Sequence, residues 1–253
     1  MKRQLFPKFN IYFSSIIILL LSIIYGSFIY IFIFYLMGLI HELGHYFFAK
    51  MFSVKVNAIN FHPLGFSLDL DNCSYLPFFK QLLIYLGGPL TFFINQLVLF
   101  IFKEANLISV FVYNLSVENN LSLLLFNLIP FYPLDGGKIL ELILFKFISA
   151  FKTKIVILIT SSIVSIYLIY LCINQNQFLL FFFIITNLIS SIVFFKKNYL
   201  EYLYSRIGNV SKFKKCFSNY PNIKHFSYNY ILLKDNFIDE ENYILSKKIK
   251  NLL

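Results

Sequence analysis

Long apolar runs separated by short polar segments dominate this chain. No charged residue occurs from Phe9 to Ile40, and further apolar runs occupy 82–102, 107–117, 155–173 and 178–195. A helix needs about 20 apolar residues to cross a bilayer, so each long run is a candidate span. The pattern predicts an all-α membrane protein, a polytopic bundle of about six transmembrane helices.

The first apolar run is too long for one ordinary span, and Tyr25-Gly26-Ser27 offers a turn near its middle. We therefore expect six spans, at about 9–25, 28–48, 82–102, 112–129, 155–173 and 178–195. The fourth span starts with a polar stretch around Glu118, which predicts that this stretch faces other helices or a water-filled cavity, or lies outside the bilayer.

Two segments outside the spans have patterns of their own. Residues 54–71 alternate in part between apolar and polar side chains around a Pro63–Gly65 turn, which predicts a short cytoplasmic hairpin or re-entrant loop. Residues 196–253 carry eleven Lys and Arg residues against five acidic ones, and short helices are expected at 199–207 and 239–250. We therefore divide the chain into a membrane domain, 1–195, and a basic cytoplasmic extension, 196–253.

The charge distribution sets the expected topology. The net charge is +10, in a chain that is 58% hydrophobic and 20% aromatic. In a soluble protein this charge would suggest nucleic acid as a partner, but here basic residues flank apolar spans, where topology and anionic lipid explain them. With six spans, only Lys103 of the 22 Lys and Arg residues falls on the far side. The positive-inside rule then places both termini in the cytoplasm of a multi-pass cell-membrane protein that contacts lipid and no nucleic acid.

The sequence His41-Glu42-Leu43-Gly44-His45 lies at the end of the second predicted span. Histidines at i and i+4 share one helix face and are suited to holding zinc, and the adjacent Glu42 is suited to act as general base on a metal-bound water. Ionisable residues inside a membrane are costly, so a functional role is the default expectation.

A catalytic zinc site needs a third protein ligand and an open position. The best candidate is Asp135, in the segment Asn127-Leu-Ile-Pro-Phe-Tyr-Pro-Leu-Asp-Gly-Gly. The fourth span runs from outside to inside, so this segment is expected on the same cytoplasmic side as His41 and His45. Its prolines and glycines should break the helix there, which is tolerated where backbone lines protein or a polar cavity.

The two motifs together resemble those of the site-2 protease family of intramembrane zinc metalloproteases, peptidase family M50, and within it the stage IV sporulation protein FB branch. The resemblance covers residues 1 to about 195. It implies one Zn²⁺ per chain bound by His41, His45 and Asp135, with Glu42 as general base. Asn127 matches an asparagine thought to position substrate or stabilise the oxyanion. Gly87-Gly88-Pro89 resembles a further glycine-proline element of the family, with Thr91 or Asn95 as the polar residue that often follows it.

The function implied by the resemblance is that of a zinc metalloendopeptidase. Its substrate would be a membrane-tethered regulatory protein, such as a sigma-factor precursor in sporulation, and inhibitory membrane proteins would be possible partners. Two alternatives remain open at this point. An inactive relative would bind substrate or metal as a scaffold, and a transporter or channel would use the polar intramembrane residues as an ion path.

Other candidate residues receive simpler interpretations. His62 is expected to be solvated or to face substrate, because a catalytic zinc keeps one position open. His225 is expected at the surface of the extension. The three cysteines (Cys73, Cys172 and Cys216) are too scattered for a disulfide framework or a thiolate cluster.

Overall fold

The structure is a computed structural model that falls into two compact units, Met1–Cys73 with Leu82–Leu128, and Ser74–Gln81 with Ile129–Leu253. It describes residues 7–63, 65–71, 73, 76–174, 184–185, 189, 192, 199, 202–203, 215–218, 223–233 and 236–250. Each unit is described by itself.

The first unit combines helices with one small sheet. Its elements are β1 (Lys8–Ile11), α1 (Phe13–Ile24), α2 (Phe28–Met51), β2 (Val56–His62), β3 (Gly65–Leu70), α3 (Phe78–Glu104, from Leu82 onward) and α4 (Val110–Asn127). Gly26 has a φ of +67° between α1 and α2, so the predicted turn is confirmed at a position that glycine tolerates without strain.

The first predicted span, 9–25, is wrong at its start. Residues 9–11 belong to β1, and α1 has 12 residues, fewer than a bilayer crossing needs. Within the described part of the chain, three helices are long and apolar enough to cross a membrane: Phe28–Met51, Phe78–Glu104 and Ala150–Leu171. A bundle of six spans therefore stays a prediction.

The antiparallel hairpin predicted within 54–71 is present, and the protein is mostly helical, with two small sheets in its described residues that an all-α class does not include. Strand β2 pairs antiparallel with β3 and parallel with β1, in the order β1-β2-β3. Two side chains join this sheet to the helices before it. The Ser15 hydroxyl donates to the Phe61 carbonyl at 3.0 Å, and the Tyr35 hydroxyl donates to the Pro63 carbonyl at 2.8 Å.

The polar residues of α4 face other helices in part, as their position in an apolar run predicted. Ser116 and Asn120 are buried. The Asn120 amide donates to the Phe92 carbonyl at 3.2 Å, and the Asn95 amide donates to the Asn120 side-chain oxygen at 3.4 Å. Such hydrogen bonds hold helices together where no water competes.

The second unit contains elements that the sequence patterns did not predict. They are α5 (Asp135–Phe147), β4 (Lys215–Ser218), β5 (Tyr228–Leu233) and β6 (Asn236–Asp239). The fifth predicted span is α6 (Ala150–Asn174), which begins five residues before the predicted start. Most of the sixth predicted span, 178–195, and of the helix predicted at 199–207 lies outside the described residues.

The C-terminal extension forms a sheet and a helix. Strand β4 is parallel to β5, which is antiparallel to β6, and α7 (Glu240–Lys250) follows at the position where a helix was predicted. Strand β5 and α7 share a hydrophobic core with α5 and α6, formed by Phe145, Ala150, Tyr199, Leu203, Ile223, Ile231, Tyr243 and Ile244. The boundary at 195 and 196 stays a prediction.

His225 is buried, with only 2% of its surface exposed, so its expected surface position is wrong. Its Nδ1 lies 2.8 Å from the Tyr202 hydroxyl, its Nε2 lies 3.3 Å from the Gln81 amide nitrogen, and its ring stacks on Phe145 at 4.2 Å. This polar side chain can be buried because both ring nitrogens have partners and the ring packs on an aromatic neighbour.

A buried carboxylate organises the junction between β5 and α7. One oxygen of Glu240 accepts hydrogen bonds from the backbone N–H and the side-chain amide of Asn229, at 3.0 Å and 2.8 Å. The Asn229 amide oxygen accepts from the Lys224 backbone N–H at 2.9 Å. Glu240 and Asn229 have no exposed surface, so both depend on these partners.

Replacing Asn229 by alanine should therefore destabilise the extension by about 1–3 kcal/mol, because it removes partners from a buried carboxylate and a buried amide. Hydrogen exchange of the β5 and α7 amides in the detergent-solubilised full chain measures this opening free energy. The control is Asn242→Ala, which removes an exposed side-chain hydrogen bond to Asp239 and should change the value by less than about 0.5 kcal/mol. Equal protection in both variants would contradict the assigned role of Asn229.

Candidate metal centre

The HExxH residues lie together on one helix, as their spacing predicts. His41 and His45 are buried in α2, with 4% and 6% of their surface exposed, and Glu42 beside them is half-buried. The imidazole nitrogens and a carboxylate oxygen of these three residues all lie within 4.8 Å of one another. The site thus brings two possible metal-binding nitrogens and one carboxylate together on α2.

The spacing of the two histidines fits a shared zinc ion. Their Nε2 atoms are 3.3 Å apart. Two nitrogens bound to one tetrahedral zinc at about 2.0–2.1 Å would be separated by about 3.3–3.4 Å. The imidazoles therefore already have the separation that the ion requires.

A backbone carbonyl sets the protonation of His45. The His45 Nδ1 lies 2.7 Å from the Ile84 carbonyl oxygen on α3, and the Gly88 N–H approaches the same nitrogen at 3.3 Å. At 2.7 Å a carbonyl oxygen requires a donor, so Nδ1 carries the proton and the Nε2 lone pair is available to a metal. A hydrogen bond on the ring nitrogen that does not bind metal orients a metal-binding histidine.

Glycines bring the backbones of α2 and α3 together beside these imidazoles. A Cβ on Gly87 would lie 2.6 Å from the Gly44 carbonyl oxygen. A Cβ on Gly88 would overlap the Nε2 atoms of both histidines. The absence of that Cβ leaves a cradle at the two nitrogens, as a bound cation needs.

Asp135 belongs to the second unit and stays a predicted ligand. It is the first residue of α5 and is buried, with 4% of its surface exposed. One carboxylate oxygen lies 3.4 Å from the Lys138 ammonium in the next turn. The following Gly137 packs tightly, since a Cβ there would lie 2.6 Å from the Phe131 carbonyl.

Asn127 and Thr91 have local partners. Asn127 ends α4, and its amide donates to the Leu123 carbonyl at 3.0 Å, so its role toward substrate stays a prediction. The Thr91 hydroxyl donates to the Gly88 carbonyl at 2.6 Å, which ties it to the glycine-proline element.

His62 lies at the end of β2, where its Nε2 is 3.0 Å from the Ser67 hydroxyl and its ring contacts Tyr12. Partial burial lowers the pKa of His62, which favours the neutral ring.

One feature of the site was missed in the sequence, and a second was noticed without a role at the metal. Ile84 acts through its backbone carbonyl, so its side chain gives no signal. Gly88 was noticed within Gly87-Gly88-Pro89, and the glycine pair inside an apolar run was the signal for a close backbone approach.

The sequence of the chain is similar to those of known proteins. The model of peptidase family M50 matches residues 29–106 and 102–171. A zinc metalloprotease of Methanocaldococcus jannaschii is 36% identical over 173 residues, which are 65% of this chain and 50% of that protein. Stage IV sporulation protein FB of Bacillus subtilis is 33% identical over 111 residues, 44% of this chain and 38% of that protein. The chain thus matches half or less of the length of these relatives.

A solved structure, the site-2 protease from Methanocaldococcus jannaschii, superposes with a TM-score of 0.56 at 26% identity. The superposition covers 72% of this chain and 88% of that one. Together with the three apolar helices, these relatives identify a membrane protein. Since the family model matches more than half of the chain and includes the HExxH helix, the chain belongs to peptidase family M50.

Proposed function

We propose that this chain is an intramembrane zinc metalloendopeptidase that cleaves a membrane-associated regulatory protein within or near the bilayer. The observation that carries the proposal is the pair of buried Nε2 atoms 3.3 Å apart on an apolar helix, with a half-buried glutamate beside them. A transporter would not need a general base at this position, and a scaffold without activity would not need two histidines and a glutamate together.

The proposed ligands of one Zn²⁺ are His41, His45 and Asp135. The donor set of two imidazoles and one carboxylate is typical of catalytic zinc. Asp135 is favoured because it is a buried carboxylate and lies in the second of the two motifs that resemble those of the family. A zinc ion bound there would lower the pKa of a water molecule and polarise the scissile carbonyl.

The residues of the chain would handle the proton and the substrate. Glu42 accepts the proton of the attacking water and returns it to the leaving amine. The Ile84 carbonyl holds the His45 ring in one orientation during this transfer. Asn127, with its amide at the end of α4, is proposed to orient the substrate or stabilise the oxyanion.

The proposed topology has six spans with both termini in the cytoplasm, and the hairpin and extension lie on that side. This arrangement accounts for the basic residues that flank the spans. A membrane-tethered sigma-factor precursor in sporulation is the proposed substrate class, and membrane proteins that inhibit cleavage are the proposed partners. The relative of similar sequence in Bacillus subtilis, a sporulation protein, supports that choice.

The hairpin offers a surface for an extended substrate. Among the described residues, β3 has a strand on one side only, that of β2. A free edge presents unpaired backbone N–H and C=O groups that a substrate strand can use. We propose that the substrate segment unwinds and pairs with β3, since a helix shields the peptide bond that must be cut.

Substrate binding should therefore slow hydrogen exchange in β3. We expect protection of edge amides in Gly65–Leu70 when substrate is added to the zinc-loaded Glu42→Gln variant, because new backbone hydrogen bonds form there. Mass spectrometry of the reconstituted chain measures it, and α5 amides serve as the internal reference. Unchanged exchange in β3 with saturating substrate would exclude strand addition at this edge.

The decisive experiment for the function is co-expression with a membrane-tethered sigma-factor precursor. Release of the precursor by the parent chain, and its retention by Glu42→Gln, would support a peptidase. Retention by both would favour the scaffold.

A further inference from the structure

Three glycines occupy the place where α2 and α3 meet beside the histidines. We propose that Gly88 is a positioning residue of the metal centre, because its missing side chain leaves space for the cation. The Gly44–Gly87 contact sets the separation of α2 and α3 at which this space lies beside the two histidines. The inference rests on the proposed zinc site.

The Gly44–Gly87 contact is between backbones. A Cβ on Gly44 would overlap the Gly87 carbonyl oxygen and lie 2.8 Å from its carbon. A Cβ on Gly87 would lie 2.9 Å from the Gly44 carbonyl carbon and 3.0 Å from the His45 Cα. Neither glycine can carry a side chain unless the helices separate, and separation would withdraw the Ile84 carbonyl from His45.

Gly88 differs because a side chain there would meet imidazoles, not backbone. Its Cβ would be equally close to the Nε2 atoms of His41 and His45, inside van der Waals distance of both, and 2.6 Å from the His41 Cε1. A cation bound to both nitrogens at about 2.1 Å lies in the same equidistant plane, so it would fall within about 3 Å of that methyl group in any direction. A methyl group there would force the two imidazoles out of the positions from which they can share an ion.

The position of the Gly88 backbone is fixed by its neighbours. Its carbonyl accepts a hydrogen bond from the Thr91 hydroxyl at 2.6 Å, and Gly87 beside it is in backbone contact with Gly44. Pro89 follows inside the helix and restricts the backbone further. The glycine is therefore held against the two imidazoles by its own backbone.

The substitution Gly88→Ala tests the inference. The imidazoles are the far ends of side chains and can turn aside, so the helical fold should survive while zinc is lost. We expect zinc affinity to fall by at least about a hundredfold, because the loss of a group that only hydrogen-bonds to a metal ligand already lowers metal affinity by about 10–100-fold. The matched control is Gly38→Ala, one turn before His41 in α2, where a Cβ would meet, among the described residues, only Phe66 at 4.0 Å. Its affinity should stay within about twofold of the parent value.

The measurements are zinc content and competition with a chromophoric chelator on the full chain in detergent, with circular dichroism and the melting temperature of the metal-free forms. Equal zinc binding by Gly88→Ala and the parent overturns the inference alone, as does loss of helical structure in Gly88→Ala. Absence of zinc in the parent overturns the proposed function and this inference with it. Gly44→Ala should lower the melting temperature of the metal-free protein. That result would distinguish a glycine that lets two helix backbones touch from a glycine that leaves space for the cation.

Discussion

Replacing Glu42 by glutamine is expected to abolish detectable cleavage while zinc stays bound. Glutamine keeps the size of the side chain but cannot accept the proton of water, and loss of a general base costs about 10²–10⁴ in rate. The imidazoles of His41 and His45 do not change, so their Nε2 atoms still meet the metal. Release of a tethered precursor in membranes, together with the zinc content of the purified variant, measures both effects.

The control for this variant is Glu104→Gln at the exposed end of α3, where 60% of the side chain is exposed. It should cleave at the parent rate. Full activity of Glu42→Gln would remove the proposed mechanism, and activity lost together with zinc would show that Glu42 serves the metal and not the proton transfer.

Replacing Asp135 by alanine is expected to remove zinc and activity together. A catalytic zinc site with two protein ligands in place of three holds its ion weakly. We expect an affinity loss above about a hundredfold, more than the loss of a hydrogen bond to a metal ligand costs. Atomic absorption of the purified variant gives the stoichiometry, and chelator competition gives the affinity.

The control separates the carboxylate from its ion pair. Lys138→Ala removes the ammonium 3.4 Å from Asp135 and leaves the carboxylate in place. Zinc affinity should be kept in this variant, because removing a nearby positive charge does not weaken a carboxylate ligand. Parent-level zinc binding by Asp135→Ala would mean that the third ligand is another residue.

The sequence was most informative where one local rule decides the structure. The turn at Gly26 follows from glycine inside an apolar run, and the shared face of His41 and His45 follows from the helical repeat. The hairpin before α3 follows from alternation and Pro63. Each of these features depends on residues within one turn or one strand pair.

The missed features depend on distant partners. β1 reads as the start of an apolar helix, and only its pairing with β2, about 50 residues away, makes it a strand. α5 begins at Asp135 with two glycines that local propensity assigns to a turn. The burial of His225 depends on Gln81, which lies 144 positions earlier. No pattern within a short window contains these contacts.

The group that orients His45 is a peptide oxygen, and a peptide oxygen is present whatever residue occupies position 84. Replacing the side chain of Ile84 therefore does not directly remove the hydrogen bond to His45. A chain of this design can lose the right tautomer only through a change in the path of α3. Scanning mutagenesis would then find sensitive positions at small residues that carry no chemical group at all, and a search restricted to reactive side chains would overlook them.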